Sequence, residues 1–209
     1  MISAMISKLI QKAERSEHGF KEIQKESEDI VRKLPADEAF QIAKALYSSK
    51  VHQARMMAAF IFGAFTARSR DSLGILRKQV SQDENWRVQE ILAKAFDRYC
   101  ADTGYEKALP MIRSWLKDKN PNVRRAVSEG LRIWTNRDYF EDRPKVAVHL
   151  LAGLKDDASE YVRTSAGNAL RDISKKHPTI VKNELAAWDL ADKKIFLTYK
   201  LAGRLIGKR

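Results

Sequence analysis

The stretch Asn122-Val123-Arg124-Arg125-Ala126-Val127-Ser128-Glu129-Gly130 shows a pattern that occurs four times in this chain of 209 residues. A short polar turn is followed by a small or apolar residue, an arginine and an apolar helix. The four occurrences are Gln53-Ala54-Arg55, Asn85-Trp86-Arg87, Asn122-Val123-Arg124 and Tyr161-Val162-Arg163. Their arginines are separated by 32, 37 and 39 residues. This regular spacing indicates an internal structural repeat.

Further segments with the period of an amphipathic helix lie between the arginine-bearing helices. We predict them at 37–49, 71–82, 103–118, 143–155 and 178–190. Helix pairs with a period of roughly 40 residues are typical of HEAT and armadillo units, which stack into curved solenoids. We therefore expect an all-α fold, a right-handed α-solenoid of HEAT-like helical hairpins with a basic concave face. Residues 1–209 are expected to form one domain, with 1–33 as an N-terminal helical cap and 193–209 as a basic C-terminal helix.

The composition supports a helical protein and excludes several other classes. Nine glycines and five prolines are too few turn formers for a β-sandwich or β-barrel. The single cysteine, Cys100, excludes an intramolecular disulfide framework and a cysteine-based structural zinc site. No apolar run approaches the length of about 18 residues that a membrane helix needs. We expect a cytoplasmic protein with no membrane partner.

The positive charge indicates a polyanionic partner. Lys and Arg number 39 against 27 Asp and Glu, a net charge of +12, which favours nucleic acid over a membrane surface. Stacked repeats would align the repeated arginines in a row that suits the phosphates of a DNA backbone. The residues predicted to bind DNA are Arg55, Arg87, Arg124, Arg125 and Arg163. The alternative is that these arginines pair with acids of neighbouring repeats, for which the candidates are Asp83, Glu84, Asp118, Asp156 and Asp157.

The usual catalytic signatures are missing from the sequence. It has neither a glycine-rich phosphate loop nor a serine-nucleophile motif, and its four histidines show no metal-ligand spacing. We therefore expect no metal and no organic cofactor, and an active site built from carboxylates, aromatic rings and arginine. Three acids lie in apolar helices on the arginine-bearing side, namely Glu90, Glu129 and Asp172. For each of them the alternative role is a salt bridge on a helix.

Several of these motifs resemble the bacterial HEAT-like DNA alkylation repair glycosylases, the AlkC and AlkD superfamily. The stretch 122–130 is similar to the Arg-Arg-x-x-Ser-Glu-Gly signature of the AlkC branch, and 156–178 resembles its next repeat. The pair Trp86-x-x-x-Glu90 is similar to the tryptophan and acid of the AlkD branch. Two departures concern aromatic residues: Asn168 stands where the AlkD branch has a cleft tryptophan, and 131–139 replaces a proline-rich AlkC stretch that ends in tryptophan.

The resemblance implies roles for individual residues. Glu90, Glu129 and Asp172 fall where the family places functional acids and are the predicted catalytic residues, while Arg125 falls at a DNA-contacting position. Trp86, with Trp134 or Tyr139, is expected to contact the damaged base. Trp86 and Trp134 are accordingly expected to be exposed, whereas Trp115 and Trp188 are expected to pack in the core.

The implied function is that of a DNA glycosylase. It would hydrolyse the N-glycosidic bond of alkylated, cationic bases such as 3-methyladenine in double-stranded DNA, as a monomer associated with the bacterial nucleoid. Carboxylates near the sugar would stabilise its oxocarbenium character and orient water. Two alternatives remain at this point. One is a non-catalytic binder of duplex or branched DNA with the same fold, and the less favoured one is a protein-interaction scaffold.

Overall fold

The computed structural model describes residues 2–16 and 19–207, and within these ranges the chain forms helices and no β-strand. Two 3₁₀ turns, Val80–Gln82 and Trp134–Asn136, interrupt the series of α-helices. The α-helices are α1 (Ile2–Glu14), α2 (Lys21–Lys33), α3 (Ala36–Tyr47), α4 (His52–Phe65), α5 (Arg70–Lys78), α6 (Trp86–Thr103), α7 (Tyr105–Leu116), α8 (Pro121–Gly130), α9 (Asp138–Glu141), α10 (Pro144–Ala152), α11 (Glu160–Ser174), α12 (Pro178–Ala186) and α13 (Lys193–Ala202).

The helices pack into two compact units, residues 1–102 and 103–209. In the first unit α4 packs against α1, α2, α3 and α5, and in the second α11 packs against α8, α10, α12 and α13. Each of these two helices is therefore covered on several sides, and most of its side chains are buried. Both are arginine-bearing helices of the repeat. That the whole chain behaves as one domain stays a prediction.

The repeat pattern predicted the helix pairs correctly. The four arginines lie in the first turns of α4, α6, α8 and α11, and the five intervening predictions correspond to α3, α5, α7, α10 and α12. Direct packing of α3 on α4, α7 on α8 and α10 on α11 gives the expected hairpins. The predicted ends were less accurate. Residues 71–82 divide into α5 and a 3₁₀ turn, and the helix predicted to reach 190 ends at Ala186.

The connection between α8 and α10 has a small core of its own. It contains the second 3₁₀ turn and α9, and the rings of Trp134 and Phe140 lie with their centroids 5.0 Å apart within it. Phe140 also packs against Tyr105, at the start of α7, with centroids 6.3 Å apart. This short segment therefore fills the space between two helix pairs.

Helices lie towards both ends of the described residues, and the C-terminal one is shorter than predicted. The cap expected at 1–33 corresponds to α1 and α2, and Met1, Glu17 and His18 lie outside the described residues. The basic helix expected at 193–209 ends at Ala202, and Lys208 and Arg209 also lie outside the described residues. None of the helices in 2–16 or 19–207 has the length and apolar character needed to cross a lipid bilayer.

Close packing of α13 on α11 depends on Gly167. A Cβ atom there would lie 2.9 Å from Cβ of Leu201 and 3.2 Å from the carbonyl oxygen of Thr198. We expect Gly167→Ala to displace α13 and to lower the free energy of unfolding by about 1–3 kcal/mol, measured by urea denaturation. Gly74→Ala is the matched control, because a Cβ on Gly74 in α5 meets nothing within 4 Å. Equal stability of the two variants would contradict this prediction.

Candidate functional site

Arg55 is held by the protein's own acceptors. Its Nε and Nη2 donate to the carboxylate of Asp83 at 2.7 and 3.0 Å, and its Nη1 donates to the carbonyl oxygens of Ser49 and Lys50, each at 3.1 Å. Burial, together with the negative charge of Asp83, raises the pKa of the neighbouring Tyr47 to about 12. Through its bonds to Ser49, Lys50 and Asp83, Arg55 joins the turn before α4 to the turn before α6.

Arg124 repeats this geometry in the second unit, and Arg163 repeats its contacts with backbone carbonyls. Arg124 donates from Nε and Nη2 to Asp157 at 2.6 and 2.7 Å. Arg163 donates from Nη1 to the carbonyl oxygens of Asp157 and Ala158 at 2.6 and 3.2 Å. This geometry supports the ion-pair alternative for Arg55 and Arg124, since their guanidinium groups are occupied by internal acceptors. Contact of the three arginines with DNA phosphates stays a prediction.

The other two predicted DNA-binding arginines lie on aromatic rings. The guanidinium carbon of Arg87 is 4.6 Å from the ring centroid of Trp86, and that of Arg125 is 4.0 Å from the ring centroid of Tyr161. Trp86 and Tyr161 are 57% and 45% exposed, whereas Arg125 itself is only 9% exposed. Guanidinium groups on aromatic faces are stabilised by cation–π attraction. Trp86 and Arg87 together present a flat cationic surface to solvent.

Two of the three predicted acids meet at a residue that the sequence interpretation did not include. Nε and Nη2 of Arg132 each lie 2.7 Å from Oδ2 of Asp172, and its Nη1 lies 3.4 Å from Oε2 of Glu129. Glu129 is in α8 and Asp172 in α11, while Arg132 lies just beyond the end of α8. The structure therefore brings two carboxylates to one guanidinium.

Asp172 also contacts two further basic side chains. Nζ of Lys175 lies 3.0 Å and Nη2 of Arg171 lies 3.2 Å from its Oδ1. Burial acts to raise the pKa of Asp172, but the hydrogen bonds from Lys175 and Arg132 outweigh burial, so the pKa lies below its ordinary value. Asp172 is consequently a carboxylate at neutral pH, although it is 6% exposed.

Glu129 is held from the opposite side by two serines. Oγ of Ser165 donates to Oε1 of Glu129 at 2.8 Å, and the hydroxyl oxygens of Ser165 and Ser128 are 2.6 Å apart. Both serines are buried, one on α8 and the other on α11. This polar chain positions Glu129 at the junction of the two helices. The sequence motif Arg-Arg-x-x-Ser-Glu already indicates a serine beside this acid, since Ser128 directly precedes Glu129.

The predicted exposure of Trp134 is wrong. Its ring is buried in the core of the 131–143 segment, and its Nε1 donates to the carbonyl oxygen of Ser128 at 3.3 Å. Tyr139 is half-buried beneath the guanidinium of Arg143, 4.7 Å from the ring centroid. The predicted burial of Trp115 and Trp188 is confirmed. Contact of Trp134 and Tyr139 with a damaged base stays a prediction.

Glu90, the third predicted acid, lies in the first unit. It is half-buried on α6, one helical turn after Trp86. Glu129 and Asp172 belong to the second unit. Convergence of all three acids on one cleft stays a prediction.

The family model described as "DNA alkylation repair enzyme" matches residues 18–199. The chain therefore belongs to the DNA alkylation repair enzyme family. This confirms the superfamily expected from the motifs around Glu129 and Asp172.

Solved structures within this superfamily share the fold. AlkD2 from Streptococcus mutans is 47% identical with a TM-score of 0.96, and the match covers 99% of this chain and 100% of AlkD2. The protein smu.31 from S. mutans UA159 is 45% identical, with a TM-score of 0.93 and the same coverage. The DNA-bound Pseudomonas fluorescens alkylpurine DNA glycosylase AlkC is 24% identical with a TM-score of 0.61, over 81% of this chain and 46% of AlkC. These matches confirm the expected HEAT-like helical fold.

A partial sequence match links this family member to a longer bacterial protein. Bacillus subtilis (strain 168) YhaZ is 36% identical over 87 residues, which are 40% of this chain. The matched region spans 24% of YhaZ, about a quarter of its length.

The positive charge of this alkylation repair family member is concentrated in the second unit. Residues 103–209 contain 22 Lys and Arg against 13 Asp and Glu, a net charge of +9, whereas residues 1–102 contain 17 against 14, a net charge of +3. The unit that holds Glu129 and Asp172 is therefore the more attractive one for a polyanion. Across 2–16 and 19–207, no three His, Cys, Asp or Glu side chains are grouped to hold a metal ion.

The lowered pKa of Asp172 predicts a pH-dependent contribution to stability. A carboxylate with a depressed folded-state pKa stabilises the fold above its ordinary pKa of 3.8 and loses that effect as the pH falls through the lowered value. Between about pH 5 and pH 3, Asp172→Asn should therefore lose less free energy of unfolding than the unmodified protein. Urea denaturation across this range measures the difference. Asp156→Asn, an exposed control, should follow the unmodified protein.

Proposed function

We propose that the protein is a DNA glycosylase that removes alkylated, cationic bases from duplex DNA, acting as a monomer. The observation that carries the proposal is the pair of carboxylates, Glu129 and Asp172, bound to one guanidinium within the more basic unit. Family membership supplies alkylated DNA as the substrate class. AlkC, an alkylpurine DNA glycosylase bound to DNA that contains an abasic-site analogue, supports the same reaction class through its shared fold.

The chemistry suits a pair of carboxylates close to the sugar. An alkylated ring nitrogen makes the base positively charged, so it leaves as a neutral molecule with both electrons of the C1′–N bond. The deoxyribose then carries oxocarbenium character, which nearby negative charge stabilises. Water adds to C1′ and gives its proton to a carboxylate or to solvent. The products are the free base and an abasic site.

The guanidinium of Arg132 shows that a positively charged group fits between Glu129 and Asp172. Its guanidinium lies within hydrogen-bonding distance of both Glu129 and Asp172. The cationic sugar would take this position, and Arg132 would turn towards a flanking phosphate, where a bidentate contact is available. In the same way Lys175, which is half exposed, would exchange its contact with Asp172 for a phosphate.

Trp86 and Arg87 are the best placed of the predicted side chains to hold DNA in the first unit. A base stacked on an exposed aromatic ring is stabilised by about 1–3 kcal/mol, and the adjacent guanidinium attracts phosphate. The DNA-bound state of AlkC, which shares the fold, supports DNA as the ligand of this surface.

Addition of DNA should quench the fluorescence of Trp86. Of the four tryptophans, all within the described residues, only Trp86 is exposed, so a quench on adding duplex DNA reports on this residue. Trp86→Phe should abolish the quench, and Trp86→Ala should weaken binding by about 5- to 100-fold in a fluorescence-anisotropy titration with labelled duplex. An undiminished quench in Trp86→Phe would overturn the assignment. Tyr161→Phe serves as the control for altering an exposed ring.

Release of free base tests the proposed reaction directly. Purified protein is incubated with DNA treated with a methylating agent, and free bases are separated by chromatography, with heated DNA lacking protein as the control. We expect release of a cationic base such as 3-methyladenine above the heat-only rate. Absence of release over many hours at excess protein would exclude the glycosylase.

A specific observation favours a second candidate, a non-catalytic DNA binder. Asp172 is already paired with three basic side chains, and the ring of Trp134 is buried. Retained DNA binding without base release would support this candidate. A preference for four-way junctions over duplex in the same anisotropy measurement would then identify branched DNA as its ligand.

A further inference from the structure

A groove in the second unit combines an apolar floor with a purely basic rim. It lies between α7 and α10 and has a volume of about 620 Å³. Its floor is formed by the apolar residues Leu116, Val146, Leu150 and Leu154, and its rim by the basic residues Arg113, Lys117, Lys145 and His149. No acidic side chain lines the groove, so its electrostatic preference is for an anion.

The basic rim is available for a partner. Arg113, Lys117, Lys145 and His149 are exposed, and none of their side chains takes part in a hydrogen bond or ion pair within residues 2–16 and 19–207. Arg124, by contrast, is occupied by Asp157. Lys145 and His149 are four residues apart on α10 and share one helix face, while Arg113 lies in the last turn of α7 and Lys117 directly follows that helix. Two rows of positive charge therefore face each other across the apolar floor.

The packing of α9 explains why the groove exists. This short helix contacts both α7 and α10, and Phe140 packs against Tyr105 near the start of α7. The segment 131–143 fills the space there, whereas the last turn of α7, together with Lys117 just after it, lines the groove with α10. The groove therefore lies where the segment 131–143 does not separate α7 from α10.

We propose that this groove binds an acidic peptide carrying apolar side chains, a docking segment of a partner protein. Acidic side chains would pair with the two basic rows, while a leucine or phenylalanine of the peptide would cover Val146 and Leu150 on the floor. A DNA backbone would satisfy the rim but would leave the apolar floor in contact with water, so the floor distinguishes the two ligands.

The position of the groove leaves the proposed catalytic acids free. α7 and α10 are the first helices of their hairpins and pack on α8 and α11, the helices that carry Glu129 and Asp172. The groove residues and the carboxylate cluster share no side chain. Peptide binding and DNA binding are therefore separable by substitution.

Selection from a random 12-residue phage-displayed library on the full chain tests the proposal. We expect enriched sequences with net negative charge and at least one leucine, isoleucine, phenylalanine or tryptophan. Lys117→Glu combined with Lys145→Glu should reduce recovery of these phage by at least 10-fold, and Leu150→Ser should also reduce it. The control combines Lys21→Glu with Lys25→Glu, which makes the same charge change on an exposed face of α2 and should leave recovery unchanged.

A second arm measures affinity for a 20-base-pair duplex with the same variants. The proposal requires the groove variant and the α2 control to weaken DNA binding to the same small extent. It is overturned if no acidic, apolar sequence is enriched, or if binding survives the groove substitutions. A selectively larger loss of duplex affinity in the groove variant would overturn it too, by assigning the groove to DNA. Circular dichroism of each variant verifies that the helices are intact.

Discussion

Replacing Asp172 with asparagine is expected to lower the rate of base release by about 100- to 1000-fold, the range found when one group that stabilises transition-state charge is removed. Asparagine keeps the shape of the side chain but loses the negative charge that, in the proposed reaction, stabilises the developing oxocarbenium. Duplex affinity should be retained or should rise, because Arg132, Arg171 and Lys175 lose their shared anion. Single-turnover base release and fluorescence anisotropy measure the two effects.

Two companion variants make this experiment specific. Glu129→Gln removes the other carboxylate at Arg132 and should also slow base release, whereas Asp156→Asn removes an exposed carboxylate elsewhere and should not. Unchanged release in both Asp172→Asn and Glu129→Gln would show that this cluster only joins α8 to α11. If these variants lost DNA affinity to the same extent as they lost base release, the substitutions would have disturbed the structure.

The helix pairs were predictable because their information is local. An arginine in the first turn and an apolar stripe appear in α4, α8 and α11, and each helix buries that stripe against its neighbours. In 131–143 no helical period exists. Trp134 is buried there because Phe140 and the end of α8 surround it, an arrangement that depends on tertiary packing.

The cluster around Asp172 was only partly predictable for the same reason. The motifs identified Glu129 and Asp172, but Arg132 lies outside any periodic helix and contacts an acid 40 positions away. For Arg55 the sequence likewise allowed two roles, contact with a DNA phosphate or an ion pair with an acid of a neighbouring repeat. The choice depends on Asp83, 28 positions later, whose position follows from the stacking of adjacent repeats.

Replacing Asp83 with asparagine is expected to destabilise the fold by about 3–5 kcal/mol, the cost of leaving a buried partner charge uncompensated. The side chains of Arg55 and Asp83 are 9% and 3% exposed, so water has little access to the lost carboxylate's position, and the other acid at Arg55, Glu84 at 3.5 Å, is 89% exposed and therefore a much weaker partner. Asp83 also accepts the backbone N–H of Asn85 at 2.9 Å, which holds the turn before α6. For a chain of this length, 3 kcal/mol corresponds to a decrease in melting temperature of about 6–12 °C.

Asp102→Asn is the matched control for this substitution. Asp102 also accepts a hydrogen bond from an arginine, Nε of Arg98 at 2.7 Å, but the two side chains are 34% and 51% exposed. Such solvent-exposed pairs contribute about 0–1 kcal/mol, so urea denaturation should show a small change. If Asp83→Asn were as stable as Asp102→Asn, Arg55 would not depend on its internal anion. Its guanidinium would then be free to bind a phosphate, as the alignment of the repeats first indicated.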